Sequence, residues 1–155
     1  MGEKMQAVDI SKLGLAQLTQ LKQQLDQEIE LFSSSLQQLR AAHGKFQDSK
    51  ECVEKLTPDT KGKEILVPLT GSMYVLGHFS DVDKVLCDVG TGYYVEKDIS
   101  AASDYFKRKN KFVGDQITKV QKLAQDKVTL REIVIETMEA KLQATLAAQQ
   151  AAGTS

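Results

Sequence analysis

The chain has 155 residues, enough for one domain, and 41% of them are hydrophobic, but only 6% are aromatic and none is tryptophan, so bulky side chains for a single compact core are scarce. The 20 lysines and arginines nearly balance the 21 aspartates and glutamates, which excludes a general electrostatic attraction to nucleic acid or anionic membranes and favours protein partners. No apolar run approaches the length of a membrane span and the first residues lack the apolar segment of a secretory signal, so we expect a soluble intracellular protein.

The N-terminal third predicts a long amphipathic helix. Between Leu15 and Val53, apolar residues recur at alternating steps of three and four, which is the pattern of a left-handed coiled coil. Polar and charged residues dominate the intervening positions, so the other face is solvated. Three polar residues interrupt the apolar stripe: Lys22, His43 and Lys50. Pro58 ends the helix, because it lacks a backbone donor and disfavours helical geometry in the residue before it.

The middle of the chain predicts four short strands. Branched and aromatic residues cluster in four apolar runs, at 65–69, 73–76, 85–89 and 93–95. Gly71 and the segment Gly90-Thr91-Gly92 supply the residues for two tight turns. The first strand therefore pairs with the second and the third with the fourth, in two hairpins.

The C-terminal third predicts a second long helix. From Phe106 to Leu142, apolar residues again recur at steps of three and four. Two four-residue steps meet at Ala124, so we expect less supercoiling or a local stutter there.

These elements predict a mainly α fold with a small β part, in which two long helices form an antiparallel coiled coil joined by two β-hairpins. The predicted segments are a flexible N-terminus at 1–12, the first coiled-coil helix at 13–57, the hairpins as an assembly body at 58–98, the second coiled-coil helix at 99–148 and a disordered tail at 149–155.

The strands predict assembly with other chains. The runs 65–69 and 73–76 are apolar on both faces, so both faces need cover that two helices cannot supply alone. Edge strands also offer unpaired backbone groups to another chain. The predicted assembly residues are Ile65, Val67, Leu69, Met73, Tyr74, Val75, Val85, Leu86, Val89, Tyr93, Tyr94 and Val95.

The helix ends distant from the hairpins should meet at a tip that is rich in apolar residues. Leu21 and Val134 fall outside the main register, so the apolar surface exceeds a simple seam and predicts a binding surface. A coiled-coil core with fraying helix ends is the open alternative. The predicted client-binding residues are Leu15, Leu18, Leu21, Leu25, Val134, Ile135, Met138, Leu142 and Leu146.

Two sequence segments in the hairpin region are similar to segments of a known protein family. They are Leu66-Val67-Pro68-Leu69-Thr70-Gly71-Ser72-Met73-Tyr74-Val75 and Val89-Gly90-Thr91-Gly92-Tyr93-Tyr94-Val95-Glu96-Lys97. They resemble the two hairpins of alpha-class prefoldin subunits. The segments 21–28 and 106–109 extend the resemblance in the same order, over roughly residues 13 to 138. Leu76 occupies a position where close relatives are expected to have proline, so the resemblance does not determine where the second strand ends.

The resemblance implies a subunit of a heterohexamer of two alpha-type and four beta-type chains joined by a double β-barrel. It implies a co-chaperone, not an enzyme, that needs no cofactor. Such a protein binds unfolded clients such as actin and tubulin at its tips and delivers them to the cytosolic chaperonin without ATP. We expect a cytoplasmic location. A coiled-coil adaptor or scaffold of a different complex is the alternative.

Other chemistry is weakly supported. Gly90-Thr91-Gly92 lacks the further residues of a phosphate loop and is followed by a strand. No nucleophile with a base is apparent, which argues against an enzyme. The candidate metal ligands lack the close pairs of zinc sites: His43, His78, Cys52 and Cys87. The wide spacing of Cys52 and Cys87 favours free thiols in a reducing compartment.

One basic cluster spans residues 107–111 and lies between Phe106 and Phe112. A solvated helix face is the favoured explanation, and nucleic-acid binding or nuclear import is the minor alternative.

Overall fold

The computed structural model describes residues 9–154, which belong to two compact units. The helix-pair unit contains residues 9–38 and 117–154, and the hairpin unit contains residues 39–116. The elements in chain order are a 3-10 turn at Ile10–Lys12, α1 at Leu15–Glu54, a 3-10 turn at Pro58–Thr60, β1 at Glu64–Pro68, β2 at Tyr74–His78, β3 at Lys84–Gly90, β4 at Tyr93–Asp98 and α2 at Ile99–Ala152. Two long helices and two antiparallel hairpins confirm the predicted fold class.

Both helices differ from their predicted bounds. α1 is shorter than the predicted 13–57, and the turn at Pro58–Thr60 follows it. α2 continues to Ala152 through the segment predicted as a disordered tail, because alanine and glutamine are favourable helix residues. The 3-10 turn occupies part of the predicted flexible N-terminus, and Asp9 caps it by accepting a hydrogen bond from the Ser11 backbone. Residues 1–8 and 155 lie outside the described residues.

Within each unit, α1 and α2 run antiparallel. In the helix-pair unit, Asp26 and Glu28 of α1 form salt bridges with Arg131 and Lys127 of α2. In the hairpin unit, side-chain hydrogen bonds join Asn110 of α2 to Gln47 of α1 and Ser103 of α2 to Glu54 of α1. In both units a later position on α1 contacts an earlier position on α2.

The core of the helix-pair unit consists of Leu18, Leu25 and Val134, which are fully or almost fully buried. Leu13, Leu21, Leu130 and Met138 are among the half-buried side chains around them. The α1 stripe thus faces α2, as its spacing predicts.

The buried face of α2 differs from the prediction. Val134, predicted outside the register, is fully buried, whereas Leu142 is 52% exposed. Alternating steps of four and three continue after Ala124 through Lys127 and Arg131, which are both half-buried. Long basic side chains can cover a seam with their aliphatic stems while their charged ends reach carboxylates. The half-buried face after Ala124 thus includes polar positions, which the prediction missed because it followed only apolar residues.

The hairpins form two separate two-stranded sheets, β1 with β2 and β3 with β4. Leu69 and Met73, predicted as strand residues, lie in the first turn, where the Met73 carbonyl accepts from the Leu69 and Thr70 backbones. β2 continues past Leu76, and Gly77 lies opposite Ile65. A Cβ on Gly77 would approach Val67 Cγ2 to 3.2 Å, so this position leaves little room for a side chain.

The second hairpin packs on the helices through β3. Cys87 is buried against Val53 and Ala102, with Val85 and Phe106 beside them. A bulge at Asp88 precedes the turn. Its three residues Gly90-Thr91-Gly92 all have positive φ angles, which explains why glycine occupies two of them. This confirms the predicted tight connection.

Candidate functional site

The hairpins carry most of the large exposed hydrophobic side chains among residues 9–154. Their large exposed residues, which we call the hairpin surface, are Leu66, Val67, Leu69, Met73, Tyr74, Val75, Leu76, Leu86, Val89, Tyr93, Tyr94 and Val95. Leu86 and Tyr93 are each 71% exposed. Many large apolar side chains exposed on one small segment indicate an interaction surface in a soluble protein.

Most of the predicted assembly residues belong to the hairpin surface. Ile65 and Val85 are half-buried, and Val85 packs on the core of the hairpin unit. Leu66 and Leu76 are exposed but were not among the predicted residues. The signal for them was present, because an apolar run without alternation presents side chains on both faces of the hairpin.

The hairpins also leave backbone groups unpaired. Each sheet has two strands, so in the described chain both strands of each hairpin are edges. Two-stranded hairpins are at best marginally stable alone, and their edges can accept strands from another chain. The apolar surface and the open edges together have the character of a surface for binding another chain.

The helix-pair unit contains an open groove of about 380 Å³. We call it the helix-pair groove, and the residues that line it are Leu15, Thr19, Lys22, Ile135, Met138, Glu139 and Leu142. Four predicted client-binding residues are in this set. Thr19, Lys22 and Glu139 were missed, because they are polar and the prediction followed only the apolar stripe.

The other predicted client-binding residues lie elsewhere. Leu18, Leu25 and Val134 are buried between the helices and form the core, so their inclusion in an exposed surface is corrected. Leu21 is half-buried against the same core. Leu146 is 51% exposed and lies outside the groove lining. The predicted set therefore separates into core and surface residues.

Charged pairs join the two helices of the helix-pair unit. Lys22 Nζ donates to Asp26 Oδ2 at 3.0 Å, and Arg131 also donates to Asp26. These hydrogen bonds, with that from Lys22 foremost, hold the pKa of Asp26 below its usual value. Lys127 Nζ lies 2.6 Å from Glu28 Oε2 and is the main cause of the lowered pKa of Glu28.

Acidification should weaken the helix-pair unit through these two carboxylates. Their pKa values are lower in the folded chain, so their contribution to stability is complete above the usual carboxyl values near about pH 4 and is lost as the pH falls through the lowered values. Hydrogen exchange of the helix-pair unit, measured from neutral pH downward, should show accelerated opening below about pH 4.

The double variant Asp26→Asn with Glu28→Gln should lose part of this acid response. The control is Glu30→Gln, which replaces an exposed carboxylate of the same helix and should keep the wild-type response. A double variant that responds to acid as steeply as the wild type would contradict the assignment.

Other sites find no support among residues 9–154. No group of three or more potential metal ligands occurs there, and no helix is long and apolar enough to cross a membrane. Cys52 is exposed, Cys87 is buried, and both are free thiols.

Antiparallel helices with two uncovered hairpins define a coiled-coil protein with exposed β-strands. Comparisons with known proteins give its family. The family model described as "Prefoldin subunit" matches residues 25–148. "Prefoldin subunit 5" of Homo sapiens is 48% identical over 138 residues, which cover 89% of this chain and 90% of that protein. "Probable prefoldin subunit 5" of Schizosaccharomyces pombe is 39% identical over 153 residues, which cover 96% of this chain and 97% of that protein.

The chain therefore belongs to the prefoldin family, as the sequence predicts, and is similar over most of its length to relatives named prefoldin subunit 5. A solved structure described as filamentous PFD from Methanocaldococcus jannaschii aligns with a TM-score of 0.49 at 21% identity, covering 83% of this chain and 97% of that chain. Membership makes other prefoldin subunits the partners of this chain.

Proposed function

We propose that this chain, as a subunit of the heterohexameric co-chaperone prefoldin, binds unfolded proteins such as actin and tubulin and delivers them to the cytosolic chaperonin without ATP. The observation that carries client binding is the helix-pair groove. Leu15 and Leu142 of its lining are exposed, and Ile135 and Met138 are half-buried beside them, Met138 also packing on the core. The cytoplasm is the location that follows from this function.

The groove supports binding of many clients rather than one folded partner. Its lining is aliphatic with one methionine, which adapts to differently shaped side chains. Lys22 and Glu139 supply one charge of each sign at its border. A surface of this kind selects exposed apolar segments by hydrophobicity rather than by sequence.

Replacing Leu15 and Leu142 by serine should weaken client binding. Each side chain is partly exposed in the free chain, so the substitutions remove apolar contact area with the client without opening the core. We expect roughly a tenfold loss of apparent affinity for an unfolded client, measured as suppression of its aggregation by the assembled complex.

The matched control is the double variant Leu31→Ser with Leu123→Ser. Both leucines are exposed in the helix-pair unit, and neither lines the groove. This control should suppress aggregation as the wild type does. Equal suppression by both double variants, in complexes of normal composition, would overturn client binding at the groove and favour the adaptor hypothesis.

A further inference from the structure

A second groove lies in the hairpin unit, between α1, α2 and the β3–β4 hairpin. It measures about 540 Å³, and we call it the basic groove. Phe46, Phe106 and Leu86 contribute apolar surface to it, and Lys45 and Lys109 contribute exposed amines. The groove thus combines apolar contacts with positive charge.

The positive charge of this groove is not neutralised within residues 9–154. Lys45 and Lys109 of its lining, and Lys97, which lies over the ring of the lining residue Tyr105, form no salt bridge there. Asp88 is the one carboxylate among the described lining residues, and its Oδ1 accepts a hydrogen bond from the Gly90 backbone at 2.9 Å. Since the whole chain has a formal charge of −1, this excess is local.

Tyr105 organises the cations. Lys97 Nζ and Lys109 Nζ lie 5.4 Å and 5.6 Å from the centre of its ring, and Arg108 Cζ lies 6.0 Å from it. Arg108 is also paired with Asp104 at 3.1 Å. An aromatic ring attracts cations without adding a negative charge, so the lysines are held together while their charge stays available to a ligand.

The basic groove is continuous with the hairpin surface. Leu86, Val89 and Tyr94 belong to both, and all three are exposed in the free chain. A subunit that covered these three side chains would therefore lie at the edge of this groove. Charge complementarity requires the segment that enters it to carry carboxylates, and the apolar surface requires at least one apolar side chain.

We propose that the basic groove binds an acidic segment with an apolar anchor from a neighbouring prefoldin subunit. This inference rests on the assembly of the chain with other prefoldin subunits. It adds a charged contact, beside the strands, that orients the neighbour. Electrostatic contacts of this kind contribute specificity and association rate more than affinity.

Zero-length carbodiimide crosslinking of the complex, isolated through a tag on this chain, tests the contact. The reagent joins a lysine amine to a carboxylate as an amide, with loss of water, only when the two groups touch. Mass spectrometry should find Lys45 or Lys109 joined to an aspartate or glutamate of a neighbouring subunit. Links only within this chain, or only to a protein that is not a prefoldin subunit, would overturn the inference and leave the assembly standing. Failure to isolate any complex would overturn both.

Charge reversal supplies a second test. Lys45→Glu with Lys109→Glu should raise the dissociation constant of this chain from the complex on the order of tenfold and reduce its dependence on salt. The control, Lys119→Glu with Lys122→Glu, makes the same charge change at exposed positions of α2 in the helix-pair unit and should behave as the wild type. Lys45→Arg with Lys109→Arg should retain binding. Equal weakening by both charge reversals would overturn the inference.

Discussion

Replacing Val67 by aspartate should remove this chain from its complex with other prefoldin subunits. Val67 lies in β1 opposite Val75, and its side chain is partly exposed in the free chain. Aspartate can therefore remain hydrated before assembly. A neighbour that covers the hairpin would bury the carboxylate without a partner, at a cost of several kcal/mol. That cost corresponds to a loss of association on the order of a hundredfold or more.

Native mass spectrometry of the tagged variant, purified under mild conditions, measures this effect. Leu123→Asp is the matched control, because Leu123 is 50% exposed on α2 and lies outside the hairpins. The control should enter the complex normally. Tyr94→Asp makes the same test in the second hairpin. Normal incorporation of both hairpin variants would contradict assembly through the hairpin surface.

Truncating Leu25 to alanine should destabilise the helix-pair unit by about 2–5 kcal/mol. Leu25 is 2% exposed, and among residues 9–38 and 117–154 its core contains two other fully or almost fully buried side chains. Few side chains surround so small a core, so little can move into the cavity that the truncation leaves. The variant therefore loses a large share of the apolar contacts of this core. The helix-pair groove depends on the same packing and should be lost with it.

Leu31→Ala is the control, since it makes the same substitution on the same helix at a residue that is 66% exposed. Its effect should stay within about 0.5 kcal/mol. Denaturant unfolding gives the overall change, and hydrogen exchange shows whether residues 15–30 and 127–140 open first. Equal destabilisation by the two variants would contradict the assignment of Leu25 to the core.

The sequence by itself determined the elements and the buried face of α1. Alternating steps of three and four place Leu18 and Leu25 on one face wherever the partner helix lies, because helical geometry is local. Gly90-Thr91-Gly92 likewise indicates a turn, since glycine adopts positive φ angles readily. The apolar runs of the strands predict surfaces that need cover, and the exposed hairpin surface has that character.

Only the tertiary structure decided which face of α2 is buried. Its pattern contains two apolar stripes, and the stripe with Val134 and Met138 packs on the leucines of α1. Lys127 and Arg131 form salt bridges with Glu28 and Asp26 across the helices. The apolar periodicity of one helix cannot predict which stripe is buried, since the pairing joins residues about a hundred positions apart.

The basic groove also depends on the tertiary structure, because folding brings Lys45 on α1 and Lys109 on α2 to the side of a β-hairpin. Local sequence determines which surfaces each element offers, and the long-range charge pairs and packing determine which of them become core and which remain available to partners.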